Sequence, residues 1–257
     1  MKLNTLRELC LTLWIFYLLS ACASNSTVQN DNYISDDKAA DINLKLGIEY
    51  MRLGRTDIAL NKLQKALELD PQYAETYNVL AVLYERLGLV DEAKQHYQTA
   101  LTFKPKGSDI HNNYGQFLCQ QNQWKEAEKH FLQALENPVY QKPEIPYTNA
   151  ALCALKNHQN SIAETYLRKA LGQNTKFPRA LYQMAQISYE QENYQQSRDY
   201  LQRYLDIAEH TPQSLWLGIR IERKFNNQDT EASYSLLLRR KFPDSQETQL
   251  LNQSERQ

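Results

Sequence analysis

Residues 46–71 read LGIEYMRLGRTDIALNKLQKALELDP, and residues 80–105 read LAVLYERLGLVDEAKQHYQTALTFKP. Gly47 and Ala81, Tyr50 and Tyr84, Gly54 and Gly88, Ala59 and Ala93, Ala66 and Ala100, and Pro71 and Pro105 each stand 34 residues apart. A repeat of that length, with small residues inside two helix-length stretches and a closing proline, describes a pair of antiparallel helices. Small residues let the two backbones approach where the helices cross, and Tyr or Leu fills the adjacent gap. Proline ends the unit because it cannot continue the second helix. One such pair cannot bury its apolar face alone, so the units must stack and share a continuous core. The fold class that follows is all-α, a solenoid.

The pattern resembles the tetratricopeptide repeat (TPR), which implies a right-handed superhelix of helix-turn-helix units. With Gly47 as the eighth residue of its unit, about six repeats are expected, near 40–73, 74–107, 108–141, 144–177, 178–211 and 212–245. Gly115, Ala127, Phe131 and Ala134 continue the register, and a short insertion around Pro138 to Pro143 precedes Ala151, Ala163, Leu167 and Ala170. The fifth unit keeps Ala185 and Leu201 but puts Ser197 and Tyr204 at small positions. The sixth is the weakest, with Gly218 and Ile219, and it takes one extra residue near Asn226-Asn227-Gln228 to bring Ala232 into line. All eight prolines fall at or near the proposed junctions, which supports the frame. The polar tail, 246–257, is expected to fray or at most to form a short cap.

Upstream of the array, Lys2 and Arg7 precede a nearly unbroken apolar run from Cys10 to Leu19. It is too short to span a bilayer comfortably and reads as the core of an export signal over residues 1–21. The run ends in Leu19-Ser20-Ala21-Cys22, which resembles the lipobox of bacterial lipoproteins. That resemblance implies lipidation of Cys22, palmitate-like acyl chains, and Cys22 as the first mature residue. Two or more acyl chains, at ~0.8 kcal/mol per buried methylene, anchor a protein durably. Ala23 in place of an aspartate resembles the outer-membrane sorting choice of such lipoproteins. Residues 22–39 read as a lipidated flexible tether.

Composition excludes several function classes. A formal charge of −1 offers no basic face for a phosphate backbone, so no nucleic-acid partner is expected. The seven glycines all sit at repeat positions or turns, leaving none for a phosphate-cradling loop. There is no HExxH, GxSxG or paired CxxC, so no enzyme, metal, cofactor or small-molecule substrate is expected. His96 and His130 occupy the same place on successive second helices and read as solvated, and His111, His158 and His210 are scattered. Cys119 and Cys153 fall on neighbouring first helices. The favoured reading is two thiols acting as small hydrophobes, with a disulfide in an oxidising compartment as the alternative.

What remains is the groove. In TPR arrays, positions two, five, nine, twelve and thirteen of each repeat face the concave side. Repeat one supplies Asp41, Leu44, Ile48, Met51 and Arg52, repeats two and three supply mostly polar residues around Val82, and later repeats return to Leu152, Leu155, Tyr182, Tyr189 and Trp216. Leu44, Ile48 and Met51 beside Val82 form the candidate protein-binding groove, since an uncovered apolar patch marks an interaction site. Leu152, Leu155, Tyr182, Tyr189 and Trp216 form a possible second groove. Chaperone-binding TPRs clamp a carboxylate with lysine and asparagine at positions five and nine. Here those positions in repeat one are Leu44 and Ile48, so that clamp is absent, and an apolar helix or extended segment is the better ligand.

A lipobox followed by about six TPRs is similar to the type IV pilus biogenesis and stability lipoproteins, the PilW/PilF family. The resemblance is carried by residues 46–71, by AEKHFLQALENPVY at 127–140 ahead of the insertion, and by residues 218–245. It implies a pilotin. Such a protein is lipid-anchored on the periplasmic face of the outer membrane, binds subunits of the type IV pilus secretin, and promotes their localisation and multimerisation. Two alternatives stay open: the TPR lipoprotein of the β-barrel assembly machinery, and an adaptor for peptidoglycan hydrolases.

Overall fold

The computed structural model describes residues 35–255. The expected export signal, Cys22 and most of the expected tether lie outside the described residues. Thirteen helices follow in order, with no strand among the described residues. They are α1 (Asp36–Arg52), α2 (Thr56–Leu69), α3 (Ala74–Arg86), α4 (Val90–Phe103), α5 (Ser108–Gln120), α6 (Trp124–Ala134) and α7 (Glu144–Lys156). After these come α8 (Asn160–Gln173), α9 (Pro178–Glu190), α10 (Tyr194–Leu205), α11 (Pro212–Lys224), α12 (Gln228–Lys241) and α13 (Gln246–Ser254). The chain is an all-α TPR superhelix of six antiparallel pairs closed by α13. The first helix begins at Asp36, so the last part of the expected tether is helical.

Each pair turns the same way. Gly54, Gly88, Asn122, His158, Glu192 and Asn226 all have φ between 53° and 74° and directly follow or lie just beyond a first helix. In each case the next residue donates its N–H to the carbonyl five residues back, as in Arg55 to Tyr50 and Asn193 to Ser188, both at 2.8 Å. This left-handed residue with its backward bond answers carbonyls that the helix end would otherwise leave open. The Pro138–Pro143 insertion falls between α6 and α7 and widens one spacing, Asn122 to His158, without altering the turn. The position of Asn226 overturns the expected extra residue in repeat six. The register runs unbroken, Glu231 takes the crossing position, and Ala232 is exposed.

Packing follows the small–large scheme. Ala59, Ala93, Ala127 and Ala163 are fully buried, with Leu63, Tyr97, Phe131 and Leu167 filling the gaps. At Gly115 an added Cβ would meet the Phe131 ring at 2.8 Å, so the glycine is what admits the ring. In repeat five, the buried Ser197 hydroxyl donates to the Ala185 carbonyl at 2.7 Å, which removes the cost of a polar group at the crossing. Repeat six reverses sizes, with Ile219 on the first helix and Ser235 on the second, both buried. Its start is the best-capped: Thr211 and Ser214 exchange side-chain and backbone hydrogen bonds ahead of Pro212.

First helices of successive pairs pack on one another (α1 on α3, α3 on α5, α5 on α7, α9 on α11), and successive second helices do not. The array therefore curves with its first helices inside. Cys119 on α5 and Cys153 on α7 are not separate thiols: they are disulfide-bonded across that inner layer. The tail also differs from a frayed end, because α13 buries Leu251 completely against Leu215, Ile219 and Leu238.

Candidate protein-binding groove

The inner layer of first helices sorts its positions by depth. Position five lies in the seam between neighbouring first helices: Leu44, Asn78, Asn112 and Thr148 are all buried. Position nine faces open space, where Ile48 is 43% exposed and Val82, Gln116, Leu152 and Arg220 are half-buried. Leu44, expected on the groove, is thus corrected to the core. It is 5% exposed and packs in one cluster with Leu63, Leu80 and Leu83. Helical periodicity gives both faces of the seam the same apolar signature, and the arrival of α3 decides between them. Met51 is also largely buried, with only an edge reaching the groove.

That edge, with Ile48, Val79 and Val82, forms the floor of a hollow of about 500 Å³ between α1 and α3. Arg52 and Arg86 stand at its rim, and Asn78 and Asn113 close the side toward α5. The Arg86 guanidinium donates to the Met51 carbonyl at 3.4 Å, and Arg52 pairs with Glu49 at 2.6 Å. The hollow therefore offers apolar surface between two anchored cations.

Farther along, Leu152 and Leu155 line a second hollow of about 490 Å³ with Gln116, Gln120, Gln183 and Gln186. Tyr182 turns away to the Tyr204 ring, 5.8 Å between centroids, and burial pushes its hydroxyl pKa up. Tyr189 and Trp216 instead flank the Arg220 guanidinium, at 4.6 Å and 5.8 Å.

Two features escaped the sequence reading. One is an amide ladder across the inner layer: Asn113 donates to Asn78 at 3.3 Å, Asn149 to Asn112 at 2.8 Å, and Arg179 to Asn149 at 3.1 Å. Asn78 and Asn112, one repeat apart, were the available signal. The other is a histidine pair. His111 is buried, not scattered, and His130 is half-buried, not solvated, because α5 and α6 bring their Nδ1 atoms to 2.9 Å. His111 Nε2 lies 2.9 Å from the Pro105 carbonyl, which can only accept, so His111 carries its proton there. Its Nδ1 then accepts from the His130 Nδ1–H. Burial, with His111 and Lys129 nearby, depresses the His130 pKa to about 4. His96 lies face to face with Tyr84 at 5.0 Å, and burial likewise lowers its pKa.

Among the described residues, no helix is long and apolar enough to cross a membrane, and no three His, Cys, Asp or Glu side chains gather as metal ligands. The arrangement suits recognition of another chain.

Comparison with known proteins agrees. The tetratricopeptide repeat family model matches residues 44–108 and 148–212. The type IV pilus assembly protein PilF of Pseudomonas aeruginosa is 33% identical over 213 residues, covering 83% of this chain and 84% of PilF. A Haemophilus influenzae protein of uncharacterised role is 30% identical over 60% of this chain and 83% of its own length. The solved structure of P. aeruginosa PilF superposes with a TM-score of 0.77 at 32% identity, covering 86% of this chain and all of that one. PilW, a type IV pilus biogenesis factor, gives 0.73 at 30% identity over 82% and 97%. With its paired helices, curved inner layer and turn geometry joined to these likenesses, the chain belongs to the PilF/PilW family of tetratricopeptide-repeat scaffold proteins of type IV pilus biogenesis.

Proposed function

We propose that the protein is a lipid-anchored pilotin, held at the periplasmic face of the outer membrane by acyl chains on Cys22. Its hollow between α1 and α3 captures an apolar segment of a secretin subunit and so promotes localisation and multimerisation of the secretin. The observation that carries this reading is the apolar floor of Ile48, Met51, Val79 and Val82 between Arg52 and Arg86. Covering the exposed part of Ile48 contributes about 1 kcal/mol, so capture needs the neighbouring apolar contacts and the rim as well. Membership of a pilus-biogenesis family supports the choice of client.

The test is a gene deletion complemented with wild type, Cys22→Ala, or Ile48→Glu combined with Val82→Glu, scored by secretin multimers on a mild-detergent gel. Deletion and the double variant should both lose multimers, and Cys22→Ala should release the protein into the soluble periplasmic fraction. Normal multimers in the deletion strain, with outer-membrane-protein or cell-wall defects instead, would assign it to β-barrel assembly or peptidoglycan-hydrolase adaptors. Normal multimers in the double variant alone would move the capture site off this hollow.

A further inference from the structure

At the far end of the inner layer, α9, α10 and α11 bring three aromatic and three cationic side chains together. The Arg220 guanidinium sits between the rings of Tyr189 and Trp216. The Arg223 guanidinium lies 5.7 Å from the Trp216 ring, and Lys224 Nζ lies 5.1 Å from the ring of Tyr194. Arg223 is neutralised by Glu231 at 2.6 Å. Arg220 and Lys224 have no ion-pair partner among the described residues. Glu190 and Glu247 lie close to Tyr182, and Glu190 accepts from Gln186 at 3.2 Å, while Glu222 of α11 pairs with Arg198. Arg220 Nε is shut off from solvent and has no acceptor.

A cation held between two rings loses little side-chain freedom when it meets a ligand, and its planar fork matches a carboxylate. The aromatic walls also remove water, which strengthens the pairing. Arg220 and Lys224 stand four residues apart on α11, a separation of about 6 Å on one helix face. An extended chain places alternate side chains about 6.6 Å apart on one side. The two unpaired cations therefore match acidic side chains at alternate positions of a strand-like segment lying along α11.

We propose that this aromatic–cationic clasp binds an extended segment of a protein partner that carries acidic side chains at alternate positions. A single chain-terminal carboxylate would answer only one of the two cations. The clasp is separate from the hollow between α1 and α3, and either can fail without the other.

The experiment measures fluorescence anisotropy of a fluorescein-labelled, C-terminally amidated peptide alternating aspartate and valine, titrated with the full-length lipoprotein in detergent. The aspartate peptide should bind, its asparagine counterpart should bind about tenfold more weakly, and added salt should erode the difference. Arg220→Gln and Lys224→Gln should each remove most of the aspartate preference, and Arg220→Lys should restore part of it. Ile48→Glu should leave it unchanged. Equal binding of the two peptides to wild type, or no binding of either, overturns the proposal without recourse to any variant. So does an aspartate preference that survives Arg220→Gln in protein of native circular dichroism. A non-amidated asparagine peptide that binds as well as the aspartate peptide would show the ligand to be a chain terminus and overturn the assignment to acidic side chains.

Discussion

Cys119 and Cys153 are bonded across neighbouring first helices, with Cα atoms 5.8 Å apart at a sequence separation of 34. The bridge ties repeat three to repeat four next to the one enlarged inter-repeat connection. Closing a loop of that length restricts the unfolded chain by about 2–4 kcal/mol. Cys119→Ser with Cys153→Ser should lower the free energy of unfolding by that amount in a urea melt, and a reductant should do the same to wild type only.

Stability should fall as the pH drops below neutrality. His130 has a folded pKa near 4 against an ordinary 6.5, and burial moves His96 and His210 the same way. The unfolded chain therefore binds more protons in that window, so protonation favours unfolding from about 6.5 down through 4. For His130, half-exposed and screened, the loss should be about 1–2 kcal/mol. His130→Gln should flatten that part of a urea-midpoint profile; an unchanged profile would mean that His130 is solvated.

Two glycines should respond oppositely to alanine. At Gly115 the new methyl meets the Phe131 ring and the Ala127 carbonyl at 3.1 Å, and overpacking of this kind costs about 1–3 kcal/mol. At Gly172, inside exposed helix, nothing lies within 4 Å, and the change should add about 0.5–1 kcal/mol of stability. Thermal melts of the two single variants decide.

Glu192 holds a φ of 61° at its turn, a conformation that costs a residue with a side chain about 1 kcal/mol relative to glycine. Glu192→Gly should raise the melting temperature slightly, because the turn already has the backbone that glycine favours.

Neighbouring groove and core residues should separate cleanly. Leu44→Arg should unfold repeat one, because a charge would enter a site that is 5% exposed. Ile48→Glu should leave circular dichroism unchanged and act only on client capture. Equal folding of both variants would put Leu44 back on the surface.

The fold was legible because the crossing demands size alternation, and Ala59, Ala93, Ala127 and Ala163 state it openly. Depth was not. Leu44 and Ile48 share one apolar helix face, and only the docked position of α3 tells seam from groove. Repeat six misled through Ala232, whose small size imitates a crossing residue. The unbroken register there is carried by the left-handed Asn226 and by Glu231 with its partner Arg223, neither of which carries a compositional mark. The His111–His130 pair depends on the approach of α5 to α6, and no local pattern announces it. Cys119 and Cys153 were readable as neighbours, and their bonding required knowing that α5 and α7 lie side by side.

The cap helix α13 makes the two ends of the stack unlike. With Leu251 seated on Leu215 and Leu238, α13 covers the last pair, although Leu236 and Leu250 stay exposed. The amino end leaves Ile42 and Leu46 in contact with solvent. Among the described residues, then, repeat six has a further helix laid over it and repeat one has none.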